Sequence, residues 1–300
     1  MSTRLSCLVV LLCSMPACGG GGGAACTTDD QCPSHFCKAD GTCGEALVDA
    51  AMSDGSDATG GDGMTALCTP NHDGVMDANE VPLKAGQMAK FRIATDATWS
   101  TAGDANTDGS RTWDLSGQLA NDADGQLALL SPAGTWWAAD FPSAQYATTL
   151  AAGSDLMGVF AVDASGVTLL GVVSPTGGAT KTELTYDPPA KILALPFMAG
   201  STWMSSSTVS GYAQGVIVAY TEKYDSRVDE VGTMTTPYGD FPVLRVATDL
   251  TRTSGLATLL TKRSFAWVAE CFGSVATAQS QDFESGSEFN DPAEVRRLAP

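Results

Sequence analysis

From residue 81 onward, apolar and polar positions recur with a period of two rather than with the 3.6-residue period of a helix. Val216, Val218 and Tyr220 alternate with Ile217, Ala219 and Thr221. Val243, Arg245, Ala247 and Asp249 alternate with Leu244, Val246, Thr248 and Leu250. The second of these sets is mostly apolar and the first mixed, the pattern of a half-buried strand. Shorter apolar or β-branched runs precede them: KFRIAT (90–95), QLALLS (126–131), MGVFAVD (157–163), GVTLLGVVS (166–174) and TELTYD (182–187). Each is bounded by Gly, Pro, Ser or Asp, which end strands and start turns. Longer units follow at 201–211, 215–232, 233–255 and 256–280, with Pro237-Tyr238-Gly239-Asp240 as a turn signal. The pattern predicts a mainly β domain over 81–300: an antiparallel meander forming a curved sheet, half-barrel or sandwich.

The first 80 residues read differently. Leu5 to Met15 is an uncharged, mostly apolar run behind Arg4, too short to span a membrane at about 20 residues. It fits the middle of a signal peptide. Met15-Pro16-Ala17-Cys18-Gly19 then resembles the lipobox of bacterial lipoproteins. That resemblance implies a signal peptide over 1–17, lipidation of Cys18 and a membrane anchor. An ordinary signal peptide cut elsewhere, after Ala25 for example, is the competing reading. Gly19 in place of Asp resembles lipoproteins sent to the outer membrane, so the implied location is the envelope of a Gram-negative bacterium. The glycine-rich residues 18–25 serve as a flexible tether.

Cysteine arithmetic agrees with export. Of nine cysteines, cleavage before Cys18 discards Cys7 and Cys13 and lipid occupies Cys18. Cys26, Cys32, Cys37, Cys43, Cys68 and Cys271 remain, an even set suited to disulfides in an oxidising compartment. The first four fall within residues 26–43, too small a unit to bury a core without covalent staples. A four-cysteine zinc site is the alternative, but only one gap has close metal-ligand spacing. The spacing leaves three disulfide pairings open. This stretch resembles short four-cysteine modules of exported myxobacterial proteins. Residues 44–67 are acidic and rich in Gly, Ser and Ala, a linker that cannot bury enough apolar surface to fold. Cys68 and Cys271 form the last pair, unless both are buried free thiols. A bridge closing about 200 residues contributes roughly 5 kcal/mol in the chain-entropy account.

Residues 69–80, TPNHDGVMDANE, follow the spacing of an EF-hand calcium loop at six places. Asn71, Asp73, Val75 (through its carbonyl), Asp77 and Glu80 would be the ligands, and Gly74 sits at the sharp turn. Thr69 replaces the first acidic ligand, which points to millimolar affinity or to a turn that binds nothing. Without long flanking helices, the loop resembles the single calcium loops of dockerin or thrombospondin type 3 repeats. Calcium is the one cofactor expected. DANTDG (104–109) and NDADG (121–125) lack the closing glutamate and read as turns.

Charge and catalytic residues narrow the function. With 34 acidic against 16 basic side chains and a net charge of −18, the chain is a poor ligand for nucleic acid. Neither histidine lies in 81–300, which removes Ser-His-Asp and Cys-His catalysis from the β domain. Glu183, Glu222, Glu230 and Glu270 could supply a glycosidase carboxylate pair, but spacing alone does not bring two together. Trp99, Trp113, Trp136, Trp137, Trp203 and Trp267 could line a ligand site or simply fill cores. Adjacent Trp136 and Trp137 would face opposite ways in a strand. Gly200 to Trp203, Thr236 to Val246 and Trp113-Asp114-Leu115 resemble elements shared by exported proteins of myxobacteria and Bacteroidetes, a likeness over roughly 85–300. It implies architecture, not chemistry. The sequence points to a lipid-anchored envelope protein with a β domain that binds lipid or glycan and performs no catalysis. A structural or adhesive role without a small ligand is the alternative, with a glycosidase behind it.

Overall fold

The computed structural model describes residues 68–300 apart from Pro82. The expected signal peptide, Cys18 lipidation site, tether, four-cysteine module and linker lie outside the described residues.

The described chain is all strand and turn. Its strands are β1 (Val75–Met76), β2 (Met88–Thr95), β3 (Asp104–Ala105), β4 (Arg111–Asp114), β5 (Ala123–Ala128) and β6 (Tyr146–Thr149). They continue as β7 (Met157–Asp163), β8 (Gly166–Val173), β9 (Glu183–Ala194), β10 (Phe197–Met198) and β11 (Thr202–Ala213). The last five are β12 (Val216–Thr235), β13 (Asp240–Ser254), β14 (Ala257–Ala269), β15 (Gly273–Gln279) and β16 (Glu294–Leu298). β1 and β10 pair with each other; the remaining strands form one fourteen-stranded sheet. Its main path runs β5-β2-β16-β15-β14-β13-β12-β11-β9-β8-β7-β6. The two ends of that path meet. Leu130, just past β5, and Ala147 of β6 exchange backbone hydrogen bonds of 2.8 and 2.9 Å. The antiparallel meander thus curls into a nearly closed barrel, which leaves few free strand edges.

The middle of β13 is buried on both faces. One face of β13 sends Leu244 and Val246 into the barrel interior with Val228 and Val268. The other face carries Phe241, Val243 and Ala247, packed with Phe265, Trp267, Trp113 and Leu115. The period-two pattern predicted a half-buried strand here. The mixed face is instead covered by the segment holding β3 and β4. Arg245 makes that burial tolerable. Its guanidinium pairs with Asp229 at 2.9 Å and Glu288 at 2.7 Å, donates to the Thr101 carbonyl and lies over the Phe265 ring. A second buried pair, Arg297–Asp122, fixes the turn that leads into β5; the 121–125 stretch read as a turn becomes strand from Ala123. β4 runs parallel to β12 from Gly232 to Thr235, and a Cβ on Gly232 would lie 1.8 Å from the Arg111 carbonyl oxygen, so only glycine admits this approach.

Several predicted boundaries move. The 256–280 unit breaks at Glu270–Phe272 into β14 and β15, with Cys271 at φ 66° in the turn. The 126–131 run yields β5 three residues earlier, and the 182–187 run extends to Ala194 across Pro188-Pro189. Neither proline has an N–H to give, and the β8–β9 register slips across them. Trp136 and Trp137 are not in a strand. They sit in a turn-rich segment whose Trp137 and Phe141 cover the outer side of β6–β8, against Met157, Val159, Leu170 and Val173.

Cys68 and Cys271 are bonded, with Cα atoms 5.1 Å apart. The bridge, the Cys271 N–H to Glu80 carbonyl bond of 2.8 Å and the β1–β10 pair hold residues 68–81 against the barrel. Replacing both cysteines by serine is expected to destabilise the domain by about 2–5 kcal/mol. Calorimetry should then show a melting temperature roughly 5–15 °C lower. An unchanged melting temperature would deny the bridge its stabilising role.

Candidate functional site

Inside the barrel is a cavity of about 720 Å³. It is bordered by β7, β8 and β9 on one side and by β12, β13, β14 and β15 on the other, so it lies on the concave side of the sheet. Alternation on each strand decides what reaches it. From β7, β8 and β9 come Phe160, Leu169, Val172, Leu184 and Ile192, joined by Leu150 and Leu156 from the β6–β7 connection. This wall is apolar. From β12 to β15 come Glu222, Arg252, Lys262, Thr248, Ser264 and Gln279, together with Leu250. This wall is polar and carries charge.

Glu222 organises the polar wall. It is 1 % exposed. A buried carboxylate needs partners, and this one has four donors. Tyr186 and Tyr224 donate their hydroxyls to Oε2 at 2.8 and 2.6 Å. Arg252 donates to Oε1 from Nε at 2.8 Å and from Nη2 at 2.6 Å. The guanidinium lies 4.6 Å from the Tyr220 ring centroid. β-Pairing explains the assembly. Glu222 stands directly opposite Arg252 across β12–β13, and Tyr220, Glu222 and Tyr224 share one face at a two-residue spacing. Burial, and then the neighbouring Glu222 charge, push the Tyr186 hydroxyl far above the usual tyrosine range. Burial raises Tyr224 likewise, with Tyr186 and Glu222 adding to it. Both therefore stay protonated donors across the physiological range.

The rim includes Ala213 and Gln214, in the turn between β11 and β12. At the same end of the barrel, Val216, Ile217 and Leu256 project into solvent at 64 %, 76 % and 107 % exposure. The register sets that shared end: Thr221 is opposite Thr253, so the β11–β12 and β13–β14 tips neighbour each other.

The structure separates the four glutamates. Glu222 is the sole carboxylate among the described cavity-lining residues. Glu183 pairs with Lys181, Glu230 with Arg111, and Glu270 accepts the His72 N–H. The tryptophans also divide away from the cavity, since none lines it. Trp113, Trp137 and Trp267 are 1 % exposed or less. Trp136 is half-buried, donating to the Ser174 carbonyl with Lys181 over its ring.

The predicted calcium loop lies apart from the cavity. Asn71 and Asp73 close short turns: the Asp73 N–H bonds Asn71 Oδ1 at 2.9 Å and the Val75 N–H bonds Asp73 Oδ1 at 2.8 Å. Gly74 takes φ 78°, the left-handed turn expected at its place. Val75 enters β1. Asp77 bonds the Asn79 N–H at 2.7 Å, and Glu80, buried, turns back onto the Asp77 N–H at 3.1 Å. His72 points outward, its side chain 69 % exposed. No three-residue metal cluster is present among the described residues. Burial, reinforced by the charges of Glu270, Asp77 and Asp73, raises the Glu80 carboxyl above its ordinary range despite that N–H bond.

Glu80 gives a test whose sign is fixed by linkage. Its folded-state proton affinity exceeds the unfolded one, so charging it costs stability as pH rises through the folded pKa; below the ordinary value of 4.5 no cost remains. Glu80→Gln should therefore raise the melting temperature at pH 7 without divalent cation, and the gain should vanish by pH 4. Millimolar calcium should reverse the order, stabilising the parent chain and not the variant. A parent melting curve that calcium leaves in place would end the calcium reading.

No family model matches the chain, and no curated protein matches it. A solved structure of an exported protein with a YmcC-like fold from Bacteroides fragilis is similar at 11% identity, with a TM-score of 0.30. The match covers 73% of this chain and 96% of that one. It is a loose likeness that transfers no function.

Proposed function

We propose that this is an exported, lipid-anchored envelope protein whose barrel binds an amphiphilic lipid and performs no catalysis. One observation carries the reading. A cavity of about 720 Å³ with an apolar wall and a facing polar wall is the shape and chemistry of a site for a molecule with a tail and a head. Its volume falls within the roughly 300–1,000 Å³ of small-molecule sites. Core tryptophans and a lining rich in aliphatic side chains favour a lipid over a glycan, which would use exposed aromatic platforms. The apolar tips Val216, Ile217 and Leu256 at the rim suit a ligand that arrives from an apolar phase.

Export is supported by the signal-peptide-like leader, the strongly acidic composition and the Cys68–Cys271 bridge. Lipidation at Cys18 and outer-membrane placement rest on the lipobox resemblance. Calcium held by Asn71, Asp73, the Val75 carbonyl, Asp77 and Glu80 belongs to the same reading as a structural ion at the disulfide-linked segment.

The test is native mass spectrometry of the full chain purified from an oxidising compartment. The expected result is extra mass matching a lipid, released by organic extraction. Val218→Trp, which fills the cavity from a half-buried position near its rim, should remove that mass while leaving the melting curve within about 1 kcal/mol of the parent. Bare parent protein that also fails to take up added lipid would favour the structural or adhesive role.

A further inference from the structure

Resting on that reading, we propose that the head group is anionic, a carboxylate or phosphate that Arg252 and Lys262 receive on the polar wall. Three charged side chains line the cavity: Glu222, Arg252 and Lys262. The balance inside is positive by one, in a chain whose net charge is −18. Positive charge is scarce in this protein, and the barrel interior holds two of its cations.

The geometry leaves those cations usable. Glu222 is saturated. Its two oxygens accept four donors, so the anion that could repel a negative head is held within a hydrogen-bonded cluster. Arg252 spends Nε and Nη2 on Glu222. Its Nη1 has no hydrogen-bond partner among the described residues, and the side chain is 34% exposed. Held from behind by Glu222 and from one face by Tyr220, it presents a fixed edge, the arrangement that suits planar or tetrahedral oxyanions.

Lys262 stands directly opposite Leu250, two residues along β13 from Arg252 and on the same face. That diagonal relation places the two residues about 7–8 Å apart, their Cβ atoms somewhat closer. Two long cationic side chains at this spacing can converge on one oxyanion. The Lys262 ammonium now pairs with Asp282 at 3.0 Å, but Asp282 is 58 % exposed, and so exposed a pair holds the lysine weakly. Ser264, opposite Thr248 on the same wall, adds a hydroxyl donor. Across the cavity Phe160, Leu169, Val172 and Leu184 offer the tail an apolar bed.

The test uses the full chain, stripped of lipid, titrated calorimetrically with dodecanoate, dodecyl phosphate and dodecan-1-ol. The anionic probes should bind about tenfold or more tighter than the alcohol, as expected for charge-assisted hydrogen bonds in a partly buried site. The tighter of the two anions identifies the head as carboxylate or phosphate. Lys262→Gln leaves the Glu222 cluster intact and should erase most of that preference, with alcohol binding unchanged and the melting curve preserved. Arg252→Gln leaves Glu222 buried beside fewer donors, so it is the less clean variant. Alcohol binding within about twofold of both anions would overturn the anionic head and leave the cavity reading in place. Binding of none of the three, or binding that Val218→Trp does not disturb, would overturn both.

Discussion

A carboxylate buried inside a barrel must be neutralised, and Glu222 is the point on which the interior turns. An unpaired buried charge costs several kcal/mol, and a buried pair recovers that only with good geometry and further hydrogen bonds. Glu222 meets the condition by drawing in Arg252 from the next strand and two tyrosine hydroxyls. The consequence is spatial. Side chains committed to this cluster cannot fold inward to fill the barrel as aliphatic ones would. One wall stays polar and the facing wall stays apolar, which leaves an unfilled volume between them.

Elsewhere in the fold the same physics closes space. Arg245 and Arg297 are buried as deeply as Glu222, yet they face away from the cavity and each reaches a segment outside the strands, Arg245 through Thr101 and Glu288 and Arg297 through Asp122. Arg245 joins β12, through Asp229, to the Thr101 and Glu288 segments. Arg297 joins β16 to the turn around Asp122. Each ties a covering segment to the outer side of the sheet, and the aromatic rings beneath, Trp113 and Trp267 in edge contact at 5.7 Å, are fully buried. Ion pairs on the outside fasten layers; the ion pair on the inside props one open.

Much of the fold was legible because strand alternation and turn residues are local signals. The long strands, the Cys68–Cys271 bridge and the sharp turn at Gly74 could all be read from sequence. That the mixed face of β13 is buried as well could not, because its cover is supplied by residues more than a hundred positions earlier, and an arginine there looks solvated until Asp229 and Glu288 are beside it. The break at Cys271 was hidden for a similar reason: the 256–280 run stays apolar through the turn, since its residues pack there too. The cavity was less legible still. Glu222 was visible as a titratable residue, but only as one of four. The useful signal was Tyr220, Glu222 and Tyr224 on alternate positions, a polar and aromatic set sharing one face of a strand. Arg252 becomes its partner only once the β12–β13 register is known.

Barrel closure gives that cluster its meaning. In an open sheet, Glu222 and Arg252 would be a cross-strand pair on a wet face, weakly coupled and free to separate. The Leu130–Ala147 bridge brings β6, β7 and β8 round to face β13 and β14, so the apolar wall stands opposite the charges. That enclosure lowers the local dielectric, which strengthens the pairing and raises the cost of leaving any cation in the cavity without an anionic partner. Lys262 is the residue caught by this constraint. Its present partner, Asp282, is mostly exposed, and the lysine itself lines a wall facing aliphatic side chains. An oxyanion carried on an apolar tail satisfies both walls at once. A neutral lipid leaves the lysine as it is, and a free anion leaves the apolar wall wet. The amphiphile is favoured because it resolves both mismatches that closing the barrel creates.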